Sequence, residues 1–268
     1  MSKITNKYKA LLYLAILGGG NIGEVYSSNY TEVDNPITIG STPSVPTETD
    51  YNYWSTTEDN TYVFNTSSKN SNKYWIANNT VTINNVYTLK LTTNYTNDYY
   101  YYVLFCYNTF TNYGNVIIDN YGILGLNNNY TSNNYGTIDI INGVLGLYNS
   151  ATLNNTRTIT LKDSSFIFIY NMNSTLNNKG TIDISNITDL SSWINNIAFK
   201  LEGGSTFILP KSIPIPNSNN FNIQLNGTKD KPVIFKYYTH EPYIDNNSIK
   251  IQPISGAETY TSLTDINL

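Results

Sequence analysis

Hydrophobic and polar positions between residues 112 and 184 follow a pattern that occurs four times along the chain. Each copy has an Asn, a short turn, and then two aliphatic residues separated by one polar or apolar residue. The copies begin at Asn112, Asn134, Asn155 and Asn178, so consecutive copies start 22, 21 and 23 residues apart. A repeat of this length is typical of the turns of a β-solenoid.

Alignment of the copies predicts columns of aliphatic side chains on the inner face of stacked parallel strands, because side chains two positions apart in a strand point the same way. Two columns come from the repeat itself: Val116, Ile138, Ile159 and Ile182, and then Ile118, Ile140, Leu161 and Ile184. A second wall is predicted from an apolar segment between the copies: Leu124, Leu145 and Ile167, and then Leu126, Leu147 and Ile169. A third apolar step contains Leu153 and Leu176. The chain is therefore predicted to be all-β, a right-handed parallel β-helix of roughly eight coils of about 21–23 residues.

The Asn residues that begin the copies are predicted to form a ladder. Asn112, Asn134, Asn155 and Asn178 share one position at a corner of the coil. Stacked side-chain amides can donate to and accept from one another, as they do in cross-β assemblies. Two positions later the copies have Gly114, Gly136, Arg157 and Gly180, which predicts a turn with positive φ that Arg157 either loosens or shifts in register.

The rest of the chain divides into three parts. Residues 1–27 resemble a secretory signal, with a basic start, a short apolar core and small residues before Ser28; a buried or amphipathic N-terminal segment is the alternative. Residues 28–60 are rich in Thr, Ser and Pro and predict a linker or an extended arm. Residues 61–268 are assigned to the solenoid and a C-terminal cap, and the apolar run near the N-terminus is too short for a stable transmembrane span.

Two segments near the C-terminal end carry a family resemblance. Leu201-Glu-Gly-Gly-Ser-Thr-Phe-Ile-Leu209 and Leu225-Asn-Gly-Thr-Lys-Asp-Lys-Pro-Val-Ile-Phe235 resemble phrases of right-handed parallel β-helix proteins of the pectate-lyase-like type. The Asn-Gly coils are similar to those of adhesin-like β-solenoids. The resemblance covers some 35 and about 75 residues respectively, and it implies an architecture without specifying a chemistry.

The amino-acid composition excludes several classes of partner and site. Charged residues make up 13% of the chain, about half the usual share, while Asn supplies roughly one residue in six. The net charge is −4 with a single arginine, which argues against a nucleic-acid partner. Cys106 is the only cysteine, so the chain has no intramolecular disulfide and no Cys-based metal site, and Cys106 is predicted to be a buried apolar residue. No metal or other cofactor is expected.

Enzymatic candidates are few. Asp139 and Asp183 share a column with Thr160 between them, and two coil spacings would separate the carboxylates by roughly 9–10 Å, near the separation in inverting glycosidases. Solvated outward-facing carboxylates are the alternative and the favoured interpretation.

Aromatic residues offer a binding hypothesis instead. Trp75, Tyr99, Tyr101 and Tyr107 could form a strip that stacks on sugar rings, although aromatic residues also favour strands for packing alone. N-glycosylation sequons occur at ten positions, a number near chance for this composition: Asn29, Asn65, Asn78, Asn94, Asn129, Asn154, Asn173, Asn186, Asn226 and Asn246.

The sequence thus predicts a non-enzymatic structural or adhesive protein that is secreted and displayed on a cell or virion surface, as an adhesin, sheath component or fibre. Its expected partners are copies of itself, other surface or particle proteins, and glycans. A carbohydrate-active β-helix enzyme that uses Asp139 and Asp183 is the runner-up, and a glycan-binding module without catalysis lies between the two.

Overall fold

A computed structural model describes most of the chain between residues 30 and 253. The described ranges are 30–66, 74–94, 100–127, 129–169, 173–188, 197–210, 221–228, 230–236, 240–245 and 248–253. All the regular structure in these ranges is β, and it forms the parallel β-solenoid that the sequence predicts. None of the described backbone forms a helix long and apolar enough to cross a membrane.

Three parallel sheets form the walls of the solenoid. Sheet A contains β1 (Tyr30–Val33), β5 (Tyr74–Ala77), β8 (Tyr101–Cys106), β11 (Gly122–Leu126), β14 (Val144–Leu147) and β17 (Phe166–Ile169). Sheet B contains β2 (Ile37–Ile39), β6 (Val81–Ile83), β9 (Phe110–Asn112), β12 (Thr131–Asn134), β15 (Thr152–Asn155), β18 (Thr175–Asn178), β20 (Ile197–Glu202) and β22 (Phe221–Asn226). Sheet C contains β3 (Asn52–Thr56), β4 (Thr61–Thr66), β7 (Thr88–Thr93), β10 (Asn115–Asp119), β13 (Thr137–Ile141), β16 (Thr158–Asp163), β19 (Thr181–Ile187), β21 (Thr206–Ile208) and β23 (Ile234–Lys236).

The turns are regular in the middle and irregular at the ends. Five successive turns, from β5 to β19, each contribute one strand to each sheet. Within the described residues, the two later passes contribute strands to sheets B and C alone, and β24 (His240–Asp245) and β25 (Ser248–Pro253) form a separate antiparallel hairpin. The sequence predicts roughly eight coils, whereas the described residues form about five regular turns with irregular passes on either side.

The predicted arm over residues 28–60 is wrong for its described part. β1 pairs with β5 and β2 pairs with β6, so the solenoid begins well before residue 61. β3 then forms an antiparallel hairpin with β4 at the edge of sheet C. Between β2 and β3, Val45 packs against the core and Pro46 is buried. β1 and β2 are only four and three residues long and lie in a stretch rich in Thr and Pro. Composition alone therefore does not predict them.

The interior is the predicted stack of aliphatic columns. Val116, Ile138, Ile159 and Ile182 are in register across β10, β13, β16 and β19, and all four are fully buried. The column two residues later and the columns of sheets A and B are buried in the same way. Stacking five turns thus removes a continuous apolar surface from water, which is the main stabilising contribution in a solenoid.

The turn glycines serve a different purpose from the one predicted. Gly114, Gly136 and Gly180 do not have positive φ; among the described glycines only Gly204 does, at 84°. A Cβ added at Gly136 would instead overlap the carbonyl oxygen of Gly114 on the preceding turn. Arg157 occupies the same column, and the strands on both sides keep their register there, with Thr137, Thr158 and Thr181 aligned.

Cys106 is fully buried, as predicted, and the desolvation raises the pKa of its thiol. Because the thiolate is the reactive form, we expect the folded protein at pH 8 to react with iodoacetamide more than about a hundredfold more slowly than the urea-unfolded chain. The measurement is the mass increase over time. Equally fast labelling of the folded protein would contradict the burial of this strand.

Candidate functional site

The two carboxylates proposed for catalysis lie on the outer face of sheet C. Asp139 is in register with Thr160, and Thr160 with Asp183, so the column predicted from the sequence exists. Both carboxylates are half-buried, and the backbone N–H of Ser185 donates to Asp183 Oδ1 at 2.8 Å. Two inter-strand spacings place them roughly 9–10 Å apart. No group of three His, Cys, Asp or Glu side chains within the described residues could hold a metal ion.

The proposed aromatic strip on the outer surface does not exist as predicted. Trp75 is fully buried, with its ring 5.0 Å from that of Phe64 and its indole N–H donating to the carbonyl oxygen of Thr47 at 3.4 Å. Tyr101 and Tyr107 are half-buried, and Tyr99 lies outside the described residues. Trp75 points inward because the first turns have room for large rings where later turns have Leu or Ile.

Other aromatic residues form a buried layer on the outside of sheet A. The ring of Phe105 lies over Gly125 and that of Tyr148 lies over Gly146, where an added Cβ would overlap them. Tyr102 and Tyr148 contact Phe105, and the hydroxyl groups of the two tyrosines are 2.9 Å apart. Both faces of sheet A are therefore packed, which makes this wall a structural part of the molecule.

An asparagine ladder runs through the interior at the corner between sheets B and C. The Nδ2 atoms of Asn112, Asn134 and Asn155 donate to the Oδ1 atom of the next Asn in the ladder, each at 2.7 Å, and Asn178 is the last acceptor. All four residues are fully buried. Asn112 aligns with Ile83 on one side and Asn178 with Leu201 on the other, so the ladder is bounded by aliphatic residues. At the start of the ladder, the side-chain oxygen of Asn112 accepts no hydrogen bond.

A second, outward-facing ladder was missed by sequence reasoning. Asn154 Nδ2 donates to Asn133 Oδ1 at 3.1 Å, and Asn177 Nδ2 donates to Asn154 Oδ1 at 3.0 Å. The signal is the Asn-Asn doublet that ends β12, β15 and β18: in a strand, one Asn of each pair points inward and the other outward.

These outward residues belong to a regular polar surface on sheet B, which we call the Thr/Asn face. All ten of its members are Thr or Asn, and each is at least partly exposed. The first column contains Thr80, Thr109, Thr131, Thr152 and Thr175, and the second contains Thr82, Thr111, Asn133, Asn154 and Asn177. The face thus presents hydroxyl and amide groups at the spacing of the turns, without a charged side chain among the ten.

An exposed tyrosine pair borders this face at the corner between sheets B and C. Tyr113 and Tyr135 follow the first two Asn residues of the inner ladder and are 49% and 43% exposed. Their rings are stacked, with centroids 5.2 Å apart and planes inclined by 15°.

No family model, curated protein or solved structure matches the chain. The surface chemistry of this corner is therefore the basis for a functional assignment.

Two cationic residues continue the corner beyond the tyrosines. Thr156 and Lys179 follow Asn155 and Asn178 of the inner ladder, as the tyrosines follow theirs, and Arg157 lies next to Thr156. Arg157 and Lys179 are exposed. The signal for this corner was present in the repeats, because the residue after the ladder Asn is Tyr in two consecutive copies. We call Tyr113, Tyr135, Arg157 and Lys179 the corner ridge.

Proposed function

We propose that the protein is a non-enzymatic structural or adhesive protein that is exported and displayed on a cell or particle surface, where it binds glycans. The observation that carries the proposal is the Thr/Asn face with the exposed Tyr113–Tyr135 pair at its border. The low content of charged residues and the signal-like residues 1–27 support export and display.

The chemistry of this surface suits a sugar polymer. Hydroxyl and amide groups can donate and accept hydrogen bonds with sugar hydroxyl groups, and tyrosine rings provide apolar area with a polar tip. A polymer that lies along the solenoid would meet the same groups at every turn. Arg157 and Lys179 add affinity for a glycan that has carboxylate or sulfate groups.

The stacked tyrosines give the first test of this binding surface. The double change Tyr113→Ala and Tyr135→Ala is expected to weaken binding to an immobilised polysaccharide about five- to 150-fold, or about 1–3 kcal/mol, because aromatic contacts contribute about 0.5–1.5 kcal/mol each. The measurement is the dissociation constant across a panel of neutral and acidic polysaccharides.

Tyr130→Ala is the matched control. Tyr130 is 43% exposed, like Tyr135, but it lies before β12, at the opposite end of the sheet B strands. Its change should leave binding unaltered. If the double variant and the control bind every polysaccharide of the panel as the unchanged protein does, the corner ridge is not the binding surface.

A polysaccharide hydrolase or lyase is the second candidate, favoured by the Asp139–Thr160–Asp183 column. An enzyme of this kind would lose activity on Asp139→Asn while keeping its fold. For the adhesive protein we expect no cleavage of the same polysaccharide panel, and unchanged binding by the Asp139→Asn/Asp183→Asn variant. Cleavage that disappears in this variant would replace the adhesive assignment with the enzymatic one.

A further inference from the structure

The structure separates five of the ten sequons into two groups that the sequence alone does not distinguish. The Thr column that begins the strands of sheet B supplies the third residue of three sequons: Thr80, Thr131 and Thr175. Their asparagines, Asn78, Asn129 and Asn173, occur two residues earlier, at the corner between sheets A and B. All three asparagines are exposed.

These three sequons occur on alternate turns of the solenoid. In the intervening turns the positions two residues before the Thr column are Tyr107 and Ser150, which precede Thr109 and Thr152. The backbone N–H of Asn129 donates to the carbonyl oxygen of Asn149 at 3.1 Å, which confirms that this corner is stacked from turn to turn. Two turns separate successive asparagines by roughly 10 Å along the solenoid. That separation leaves space for a separate carbohydrate chain on each.

Two other sequons are built into the fold. Asn65 is buried, and its Nδ2 atom donates to Asn94 Oδ1 at 2.8 Å. Asn154 Nδ2 donates to Asn133 in the outer ladder, and its Oδ1 accepts from Asn177. Asn65 has little exposed space for a glycan on its Nδ2 atom, and a glycan on Asn154 Nδ2 would replace one of the two hydrogens of an amide that lies inside the outer ladder. By contrast, the hydrogen bond from Asn78 Nδ2 to Asp34 Oδ1, at 2.9 Å, lies on the exposed surface.

We propose that Asn78, Asn129 and Asn173 are N-glycosylated and form a carbohydrate-bearing ridge along the corner between sheets A and B. The proposal rests on the surface display proposed above, because the modification needs an export route with a glycosyl transferase and a diphosphate-activated oligosaccharide on a lipid. In the reaction the Nδ2–C1 bond forms, the C1–O bond to the phosphate breaks, Nδ2 loses a proton to a base of the transferase, and the lipid diphosphate leaves. No oxidation or reduction is involved.

The three glycan-bearing asparagines lie on the opposite side of sheet B from the corner ridge. Strands of sheet B begin at the corner that carries the three asparagines and end at the corner that carries Tyr113 and Tyr135. Glycans on the first corner would therefore leave the corner ridge accessible. They would also cover one long edge of the Thr/Asn face, which restricts lateral contacts between copies on that side.

Peptide mapping of the full chain recovered from its native source tests the ridge. We expect glycan mass on the peptides with Asn78, Asn129 and Asn173, and unmodified asparagine at Asn65 and Asn154. Expressed in the same source, the Thr131→Val variant should lose the mass of one glycan. Thr152→Val is the matched control, because Thr152 lies in the same column without an Asn two residues before it, and it should lose none.

Fractionation of the same material separates the two proposals. A chain in the envelope or particle fraction with unmodified Asn78, Asn129 and Asn173 overturns the ridge and leaves surface display intact. An unmodified chain confined to the cytosol overturns both. Glycan mass on Asn65 or Asn154 of the folded protein also contradicts the ridge, because it shows that the buried contacts do not select the modified sites.

Discussion

Ile159→Asp is expected to leave no folded protein at neutral pH. Ile159 is fully buried in the fourth of the five regular turns, between Ile138 and Ile182 of the neighbouring turns. Truncation of a buried Ile costs about 2–5 kcal/mol. Burial of the new carboxylate raises its pKa by about 3–5 units, which adds about 4 kcal/mol at pH 7, because the cost is limited to the interval between the unfolded pKa of about 3.9 and pH 7. Together these terms match the whole stability of a typical domain, about 5–15 kcal/mol.

The loss of folded structure should spread from Ile159 to the adjacent turns, because each turn of a solenoid contacts mainly its two neighbours. Far-UV circular dichroism and resistance to protease measure it directly. Thr158→Asp is the matched control: it introduces the same residue one position earlier in β16, on the half-buried outer face. It should cost less than about 1 kcal/mol. A stable, protease-resistant Ile159→Asp protein would be incompatible with the inner columns.

The second large effect concerns the inner asparagine ladder. Asn134 accepts from Asn112 and donates to Asn155, both at 2.7 Å, in a fully buried position. In Asn134→Asp the carboxylate can still accept, but it has no hydrogen to donate to Asn155 Oδ1. We expect the variant to lose about 4 kcal/mol or more at pH 7, since a buried charge and an unsatisfied acceptor are both costly.

This loss should depend on pH in a defined direction. Burial raises the pKa of the new carboxyl group above its unfolded value of about 3.9, so the unfolded chain releases the proton first. The destabilisation grows as the pH rises from about 4 toward the raised pKa of the folded state, and it is smallest below about pH 4. There the protonated carboxyl can donate to Asn155. Urea unfolding at pH 4 and pH 7 measures the difference.

Asn133→Asp is the control, since Asn133 lies next in the chain and points outward. It accepts from Asn154 at 3.1 Å, and a half-exposed carboxylate can keep that role. Its free energy of unfolding should differ little from that of the unchanged protein at either pH. If Asn133→Asp and Asn134→Asp lose the same stability at pH 7, the buried ladder does not contribute in the way that its geometry indicates.

The sheet B and sheet C strands of the central turns were predictable because their side chains alternate strictly. Inward positions such as Ile138 and Ile159 are apolar, and outward positions such as Thr137 and Thr158 are polar. A period of two then assigns each residue to a face. The ladder Asn residues followed from the same alignment, since they occur at one position in four copies.

In sheet A the inner columns were predicted, but the outer face was not, because this sheet is packed on both faces. β14 is buried at every position, and Tyr148 lies over Gly146 of the same turn. The direction of an aromatic ring depends on which neighbouring position lacks a side chain, which alternation alone does not reveal. The outward position predicted for Trp75 was wrong for a different reason, because the first turns have room in the interior for its ring beside Phe64. The corner ridge does not follow from strand propensity, because Tyr113 and Tyr135 lie after the strands of sheet B and are related only by their shared column.

The inner ladder also gives the protein an adjustable length. Each of its middle members brings one acceptor for the previous turn and one donor for the next, so the hydrogen-bond requirement of an added turn is met by that turn itself. The boundaries at Ile83 and Leu201 stay as they are however many Asn-bearing turns lie between them. Duplication of a single turn, such as residues 134–154, would therefore lengthen the solenoid by about 4.8 Å without a new interface. Gain or loss of such a segment in whole-turn steps would change the length of the solenoid by the same increment each time.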